Sequence, residues 1–341
     1  MTQARAIRLF ILGLPIGLII GGVIAMKLYF RENADAAARA GHGYMRKAIT
    51  RTDIESHVEV LAKKIGPRHM GAPDRLNATI KYIESTLGPA NLGYNVARHS
   101  YKIGDADCHN LVLEILSTHP ERGHEIVLVG AHYDSVPATP GADDNASGVA
   151  ACISLAQAFA KTEHERTLRF VFFTNEEPPY FQTKDMGSLV YAKDCKKRGE
   201  KIVAMLSLET LGYYSTAKGS QETPAGLETF VPDTGNFLAV VGNVSSASIV
   251  KHFENWFAKN STLPLAGMAL PASIAEQGWS DHWSFWQQEY PAVMVTDTAI
   301  FRNPHYHQAT DTADTLDYER LTLAVKGLEG VITELASPGR K

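Results

Sequence analysis

Residues 126–160, IVLVGAHYDSVPATPGADDNASGVAACISLAQAFA, indicate the fold class of this chain. This stretch opens with a short apolar run rich in β-branched residues, 126–129, which is typical of a buried strand. It closes with an apolar segment of helical length, residues 148–160. Because a strand followed by a helix is the repeating unit of sheets covered by helices, this stretch predicts an α/β fold.

The segment between the strand and the helix is crowded with acidic side chains around one histidine. His132, Asp134, Asp143 and Asp144 all fall within it. Carboxylates packed this closely repel one another, and a partly buried pocket tolerates the repulsion only when a cation neutralises it. Imidazole beside carboxylate is a ligand combination that zinc accepts. The segment therefore predicts a metal site, although two aspartates followed by Asn145 are also typical of a turn.

Composition limits the classes of protein that the chain can belong to. With 341 residues, 45% hydrophobic and 21% charged, it can form one large domain or two small ones. A formal net charge of −4 gives no basic surface for phosphates, so we expect no nucleic-acid partner. Cys108, Cys152 and Cys195 lack CxxC spacing, which excludes a zinc ribbon and a disulfide scaffold. Cys152 is expected in the core, while a Cys108–Cys195 disulfide and the oligomeric state stay open.

The amino-terminal residues 9–26, LFILGLPIGLIIGGVIAM, form an uninterrupted apolar run with basic residues on both sides. The run is long enough to cross a bilayer as a helix and lacks the polar stripe of a helix in a globular core. We therefore predict an uncleaved transmembrane anchor. A cleaved signal peptide is the alternative, since residues 23–25 resemble a small-residue cleavage site. A short tail before the anchor favours a following domain on the non-cytoplasmic side, periplasmic or extracellular.

The rest of the chain alternates between predicted strands and predicted helices. Strands are predicted at residues 109–116, 125–131, 167–174, 201–209, 237–242 and 291–297, and helices at 57–65, 74–87, 148–160 and 246–260. This alternation predicts a mostly parallel central sheet with helices on both faces. No repeat or low-complexity linker divides it, so we predict a tail, an anchor, a juxtamembrane segment and one domain, at residues 1–8, 9–26, 27–47 and 48–341.

Metal-type side chains follow four of the predicted strands. His132, Glu209 and the pair Glu176 and Glu177 come at or just after strand ends, and His307 lies in the loop after the last strand. Ligands of open α/β sheets bind beyond the carboxyl ends of the strands. Taken singly, each of these residues is more typical of a solvated or packed surface position. Together they predict one site at this edge of the sheet.

At these residues the chain resembles a known family. GAHYDS, PGADDNASG, the Glu-Glu pair, SLETLG and NPHYHQATDT are similar to motifs of the di-zinc aminopeptidase family of clan MH. That family includes secreted leucine aminopeptidases, glutamate carboxypeptidases and, more distantly, glutaminyl cyclases. The resemblance spans residue 52 to the carboxyl terminus, and it implies a zinc-exopeptidase fold, two zinc ions and peptide substrates.

The resemblance also implies a set of metal ligands. Asp144 would bridge the two zinc ions, His132 and Glu209 would complete one site, and Glu177 and His307 would complete the other. Many members of the family have aspartate where this chain has Glu209. Glutamate also ligates zinc, so the ligand set is complete.

Further roles are implied for residues that do not touch metal. Asp134 would hold the His132 ring in its ligating tautomer. Glu176 would shuttle the proton, and Tyr306 would donate a hydrogen bond to the oxyanion. Asp143 is not expected to be a ligand. Aromatic residues near Asp281 and His282, namely Trp279, Trp283, Phe285 and Trp286, are expected in the core, and Tyr180 and Phe181 are expected at the entrance of the site.

These observations favour a zinc-dependent aminopeptidase over three alternatives. A glutaminyl cyclase is disfavoured by the complete two-metal ligand set, and a non-catalytic binding domain by the presence of every ligand and the base. A serine hydrolase is disfavoured because Ser147 does not lie in a G-x-S-x-G elbow. Chelator inhibition would separate the metal enzyme from the serine enzyme.

Overall fold

The structure is a computed structural model that describes residues 46–224, 227–228 and 231–338. The predicted anchor at residues 9–26 and nearly all of the juxtamembrane segment lie outside these residues. Within the part of the chain that is described, no helix is both long and apolar enough to span a bilayer.

One mixed sheet organises the described residues. Its strands are β1 (Ala97–Ile103), β2 (Ala106–Ile115), β3 (Glu125–His132), β4 (Thr167–Phe173), β5 (Lys201–Glu209), β6 (Leu238–Asn243), β7 (Leu265–Leu270) and β8 (Ala292–Thr296). They lie in the order β1-β2-β4-β3-β5-β8-β6-β7. The central strands β4, β3, β5 and β8 are parallel, as are β6 and β7, whereas β1–β2, β2–β4 and β6–β8 pair antiparallel.

The predicted α/β fold is confirmed, and the predicted sheet is corrected at both flanks. All six predicted strands are present, but β1 and β7 were not predicted. β1 is a largely exposed edge strand of polar residues, so it lacks the apolar run that marks a strand. β7 is a short, half-exposed strand, LAGMAL, interrupted by glycine. The two flanks make the sheet mixed, and the parallel arrangement is found mainly at its centre.

Helices cover both faces, as predicted. They are α1 (Arg51–Val58), which continues as a π-helical segment (Glu59–Ile65), α2 (Pro73–Leu87), α3 (Gly148–Ala158), α4 (Gly187–Lys197), α5 (Ala247–Asn260), α6 (His282–Trp286) and α7 (Tyr318–Ala336). The larger core packs α1, α2, α3, α5 and α7 against one face, and a smaller core packs α4 and α6 against the other. Every residue of α3 is buried, which explains why its sequence is apolar on all sides.

The three cysteines are all free and buried. The possible Cys108–Cys195 disulfide is therefore not formed, and Cys152 lies in the core as predicted. Burial raises the pKa of the Cys195 thiol to about 12, so this group is protonated at neutral pH.

Candidate metal centre

The carboxyl edge of the four parallel central strands carries the candidate site. His132 is the last residue of β3, and Glu209 is the last residue of β5. Glu176 and Glu177 follow β4, and His307 lies in the loop after β8. Because parallel strands all end at the same edge, residues distant in sequence meet there, as the sequence predicted.

Two groups of three donor atoms form at this edge. In the first, His132 Nε2 lies 3.3 Å from Asp144 Oδ1 and 3.4 Å from both carboxylate oxygens of Glu209. In the second, His307 Nε2 lies 3.0 Å from Asp144 Oδ2 and 3.2 Å from Glu177 Oε2. The two oxygens of Asp144 therefore face different groups, and this residue joins them.

The spacing of these donors fits zinc. Ligand atoms about 2.0 Å from a tetrahedral zinc ion lie about 3.3 Å from one another, close to the distances observed. Buried Oε1 of Glu177 and Nε2 of His307 make no hydrogen bond among the described residues. Buried polar atoms are rarely left without a partner. Imidazole and carboxylate are suitable donors for zinc, so the residues present fit this metal.

The electrostatics of the site also favour a cation. Burial and neighbouring carboxylates raise the pKa of Glu176 well above its ordinary value, and burial and Asp144 raise the pKa of Glu177 to about 8. Burial opposes protonation of His307, but the adjacent Asp144 and Glu177 carboxylates raise its pKa to about 10. All of these shifts favour bound protons, which indicates an excess of negative charge. Metal cations compete with protons for such groups.

Asp134 connects two of the ligand-bearing loops. His132 Nδ1 lies 3.1 Å from the backbone oxygen of Asp134 and 3.5 Å from its carboxylate, which leaves Nε2 facing Asp144. The two carboxylate oxygens of Asp134 accept hydrogen bonds from the backbone N–H groups of Glu176 and Glu177, at 3.2 and 3.1 Å. Asp134 therefore supports three residues of the site.

Ser280 and Asn145 support Glu209, and neither was predicted from the sequence. Ser280 Oγ donates to Glu209 Oε2 at 2.7 Å. The Asn145 side chain donates to the backbone oxygen of Leu208 at 2.8 Å and accepts from the N–H of Thr210 at 3.1 Å. These bonds hold the backbone on both sides of Glu209. Asn145 lies in the PGADDNASG motif and Ser280 directly precedes Asp281, but their partners are distant in sequence.

Asp143 and Asp281 are fully buried close to the site but belong to neither donor group. Asp143 accepts hydrogen bonds from the Gly212 N–H at 2.8 Å and the Asn303 amide at 2.7 Å. Its carboxylate oxygens are therefore hydrogen-bonded away from the two donor groups. Burial, together with neighbouring acids, raises the pKa of Asp281 to about 7.

The aromatic residues differ partly from their predicted positions. Tyr306 stacks on His307 with ring centroids 3.9 Å apart. Phe285 is in the core as predicted, but Trp279 is 43% exposed and lines a cavity. The core prediction for Trp279 is therefore wrong, because the chain follows a surface loop at that point.

A largely apolar cavity adjoins the first donor group, and Glu209 and Tyr306 are among its lining residues. The side chains that form its apolar wall come from β6, β7, β8 and nearby loops, and include Ala239, Val241, Met268, Leu270, Ile274 and Met294. Neither Tyr180 nor Phe181 is among the lining residues. The cavity places apolar surface directly beside the candidate metal centre.

The fold and the donor set together define an α/β zinc-exopeptidase-like protein. Residues 110–328 match the model of peptidase family M28, and the chain belongs to this family. It is 34% identical to the protein YfbL of Escherichia coli (strain K12) over 83% of this chain and 86% of that protein. It is 30% identical to a probable leucine aminopeptidase 1 of Trichophyton verrucosum (strain HKI 0517), over 65% of this chain but only 57% of the relative.

Solved structures share the fold. BSAP, a zinc aminopeptidase from Bacillus subtilis, superposes with a TM-score of 0.65 at 15% identity, over 86% of this chain and 97% of that one. A glutaminyl cyclase from Fimbriiglobus ruber superposes with a TM-score of 0.61 at 19% identity, over 86% and 98% of the two chains. Because an aminopeptidase and a glutaminyl cyclase share this fold, the fold does not determine the reaction, which must be argued from the site.

Proposed function

We propose that the protein is a zinc-dependent aminopeptidase with two zinc ions. His132, Asp144 and Glu209 would hold one ion, and Asp144, Glu177 and His307 the other. The observation that carries the proposal is the pair of donor groups that share Asp144, one carboxylate oxygen facing each group. Bound zinc would polarise the scissile carbonyl and lower the pKa of the attacking water.

Glu176 is placed to move protons without holding metal. It belongs to neither donor group, yet its Oε2 lies 4.0 Å from His132 Nε2. Its backbone is fixed through the bond from its N–H to Asp134. A carboxylate in this position can accept a proton from water and deliver it to the leaving amine.

Tyr306 is the proposed donor to the substrate. Tyr306 and Glu209 both line the cavity, so the phenol lies beside the first donor group. A phenol O–H in this position can stabilise the negative charge that develops on the carbonyl oxygen. The stacked ring of His307 limits the freedom of the Tyr306 ring.

The cavity is the proposed site for the side chain of the first substrate residue. Its wall is mostly apolar, and Glu222 and Glu276 are also among the lining residues, whereas no lysine, arginine or histidine of the described chain is. An acidic side chain would lose its hydration there and meet like charge. A large apolar side chain would gain by leaving water.

We therefore expect phenylalanyl and leucyl amides to be cleaved with a kcat/KM about 10- to 100-fold above that of a glutamyl amide, the scale set by burial of one apolar side chain. Ile274→Trp should fill the cavity and selectively lower kcat/KM for the phenylalanyl amide, with little effect on an alanyl amide. Leu116→Trp, at an exposed apolar residue that does not line the cavity, is the matched control. Equal losses on both substrates would contradict this use of the cavity.

Chelation and amine blocking test the proposed reaction. Aminoacyl amides should be hydrolysed by the zinc-loaded protein, lose hydrolysis with a chelator and regain it with zinc, while N-acetylated amides should remain intact. Hydrolysis that survives chelation would contradict the metal mechanism. Ammonia release from an N-terminal glutaminyl peptide, without amide hydrolysis, would instead identify a glutaminyl cyclase.

The proposal includes a location at a membrane, with residues 48–341 as one peptidase domain. It is supported by the apolar run at residues 9–26. The full chain should sediment with membranes and be released by detergent rather than by salt, and deletion of residues 1–30 should yield a soluble, active protein. A mature protein that begins at residue 26 would show cleavage of a signal peptide instead.

A further inference from the structure

One carboxylate can hold two successive backbone N–H groups, and this arrangement occurs twice in the candidate metal centre. Asp134 accepts from the N–H groups of Glu176 and Glu177, one on each oxygen. Asp311 does the same on the other side of the site, where Oδ1 accepts from the Asp143 N–H at 2.9 Å and Oδ2 from the Asp144 N–H at 3.2 Å. In each pair, one of the two N–H groups belongs to a proposed zinc ligand, Glu177 in the first pair and Asp144 in the second.

The segment held by Asp311 departs from regular helix geometry. Asp144 lies just before α3 with φ −106° and ψ 91°, which are not helical values. Its carboxylate is therefore not directed by helix geometry. The backbone that leads to Asp144 is also unusual. Gly141 has φ +59°, and a side chain at this position would come within 2.4 Å of the Asp144 backbone oxygen. External groups must fix this backbone.

Arg68 fixes the same segment from the other side. Its guanidinium is fully buried and donates to the backbone oxygens of Pro140 and Gly141, at 2.7 and 2.9 Å. The backbone oxygen of Asp311 adds a bond from the Ala142 N–H at 3.2 Å. The chain leading to Asp144 is thus held at its carbonyl groups by Arg68 and at its N–H groups by Asp311.

We infer that Asp311 is a positioning residue for both metal sites: by holding the backbone at Asp143 and Asp144, it directs one oxygen of Asp144 into each donor group. The inference rests on the proposed zinc centre. Asp311 is not a ligand, since it belongs to neither donor group. A shift of the Asp144 backbone would move both donor oxygens together, so loss of Asp311 should weaken both sites.

Asp297 provides a matched control. It is also fully buried and accepts two backbone N–H groups, from Tyr213 at 2.7 Å and Ala299 at 2.9 Å. Neither donor is a proposed ligand. Asp297→Asn should therefore resemble Asp311→Asn in its cost to stability and in the loss of one buried acid, while the bonds from the Asp143 and Asp144 N–H groups to Asp311 stay in place.

The experiment compares zinc affinity of wild type, Asp311→Asn and Asp297→Asn by competition with a chelating dye, together with the melting temperatures of the metal-free proteins. We expect Asp311→Asn to weaken both zinc sites by about 10- to 100-fold, the range found for partners that orient ligands. Asp297→Asn should stay within about threefold of wild type, below the lower limit of that range. Absorption spectra of the cobalt-substituted proteins should change only in the Asp311 variant, because they report the geometry of the ligands.

A third variant separates position from charge and guards against misfolding of the first. Asp311→Glu keeps the negative charge but has a longer side chain, so a positioning role predicts weakened zinc binding here as well. Wild-type affinity in Asp311→Glu, or equal affinities in Asp311→Asn and Asp297→Asn, would overturn the positioning role. A wild-type protein that takes up no zinc would overturn the proposed metal centre itself, which makes the two failures distinguishable.

Discussion

Replacing Glu176 with glutamine should lower turnover by about 10²- to 10⁴-fold, the usual contribution of a general acid–base group. Glutamine has nearly the same size and can keep the backbone bond to Asp134, but it cannot accept the proton. The variant should therefore fold and bind zinc like wild type. Hydrolysis of a leucyl amide and zinc content, measured on the same preparation, check both halves of this expectation.

The neighbouring residue supplies the control for this prediction. Glu177→Gln changes a side chain whose Oε2 lies 3.2 Å from His307 Nε2 in the second donor group. It should lower zinc affinity as well as rate, because glutamine is a weaker ligand than glutamate. If Glu176→Gln turns over near the wild-type rate, or loses zinc as readily as Glu177→Gln, the two roles are assigned incorrectly.

Asp144→Ala should empty or disorder both zinc sites, which is the largest effect expected on metal content. Among the described residues, only Asp144 contributes an oxygen to each donor group. His132→Ala and His307→Ala should mainly weaken one site each, because each histidine belongs to a single group. Metal analysis after dialysis against a fixed free zinc concentration measures the occupancy.

Asp143→Asn is the adjacent control for Asp144→Ala. Asp143 is equally enclosed, but its carboxylate bonds to Gly212 and Asn303 rather than facing the donors. The Asp143→Asn protein should retain both zinc ions even if its melting temperature falls. Two zinc ions at full occupancy in Asp144→Ala would refute the bridging role.

The parts of the fold that could be predicted from the sequence are those with strong apolar patterns. The four central strands, β3, β4, β5 and β8, are buried apolar runs that are visible in the sequence. Because the donor residues come at or after the ends of these runs, their meeting at one edge of the sheet could be predicted. β1 was missed because an exposed edge strand needs no apolar run, and β7 was missed because it is short, half-exposed and contains a glycine. Their absence from the prediction did not affect the site, since neither carries a donor.

The supporting residues of the site were harder to predict, and the reason is geometric. Arg68 and Asp311 act on backbone groups of a segment far away in sequence, and such contacts leave no periodic or compositional signal. Asp311 is the aspartate of the NPHYHQATDT motif, yet nothing in one sequence indicates which N–H groups it holds. Only the folded backbone makes that assignment.

The carboxylates that hold backbone N–H groups also bear on how the protein exchanges its metal. Asp134 and Asp311 fix the ligand-bearing chain through hydrogen bonds within the protein. Ligand order should therefore not depend on the ion, and a stripped protein should reload quickly and reversibly without refolding. Cobalt or manganese could then enter the same donors, so the resident metal would be decided by affinity and cellular supply. A circular dichroism spectrum that stays constant through cycles of chelation and reloading would show that the protein exchanges metal without refolding.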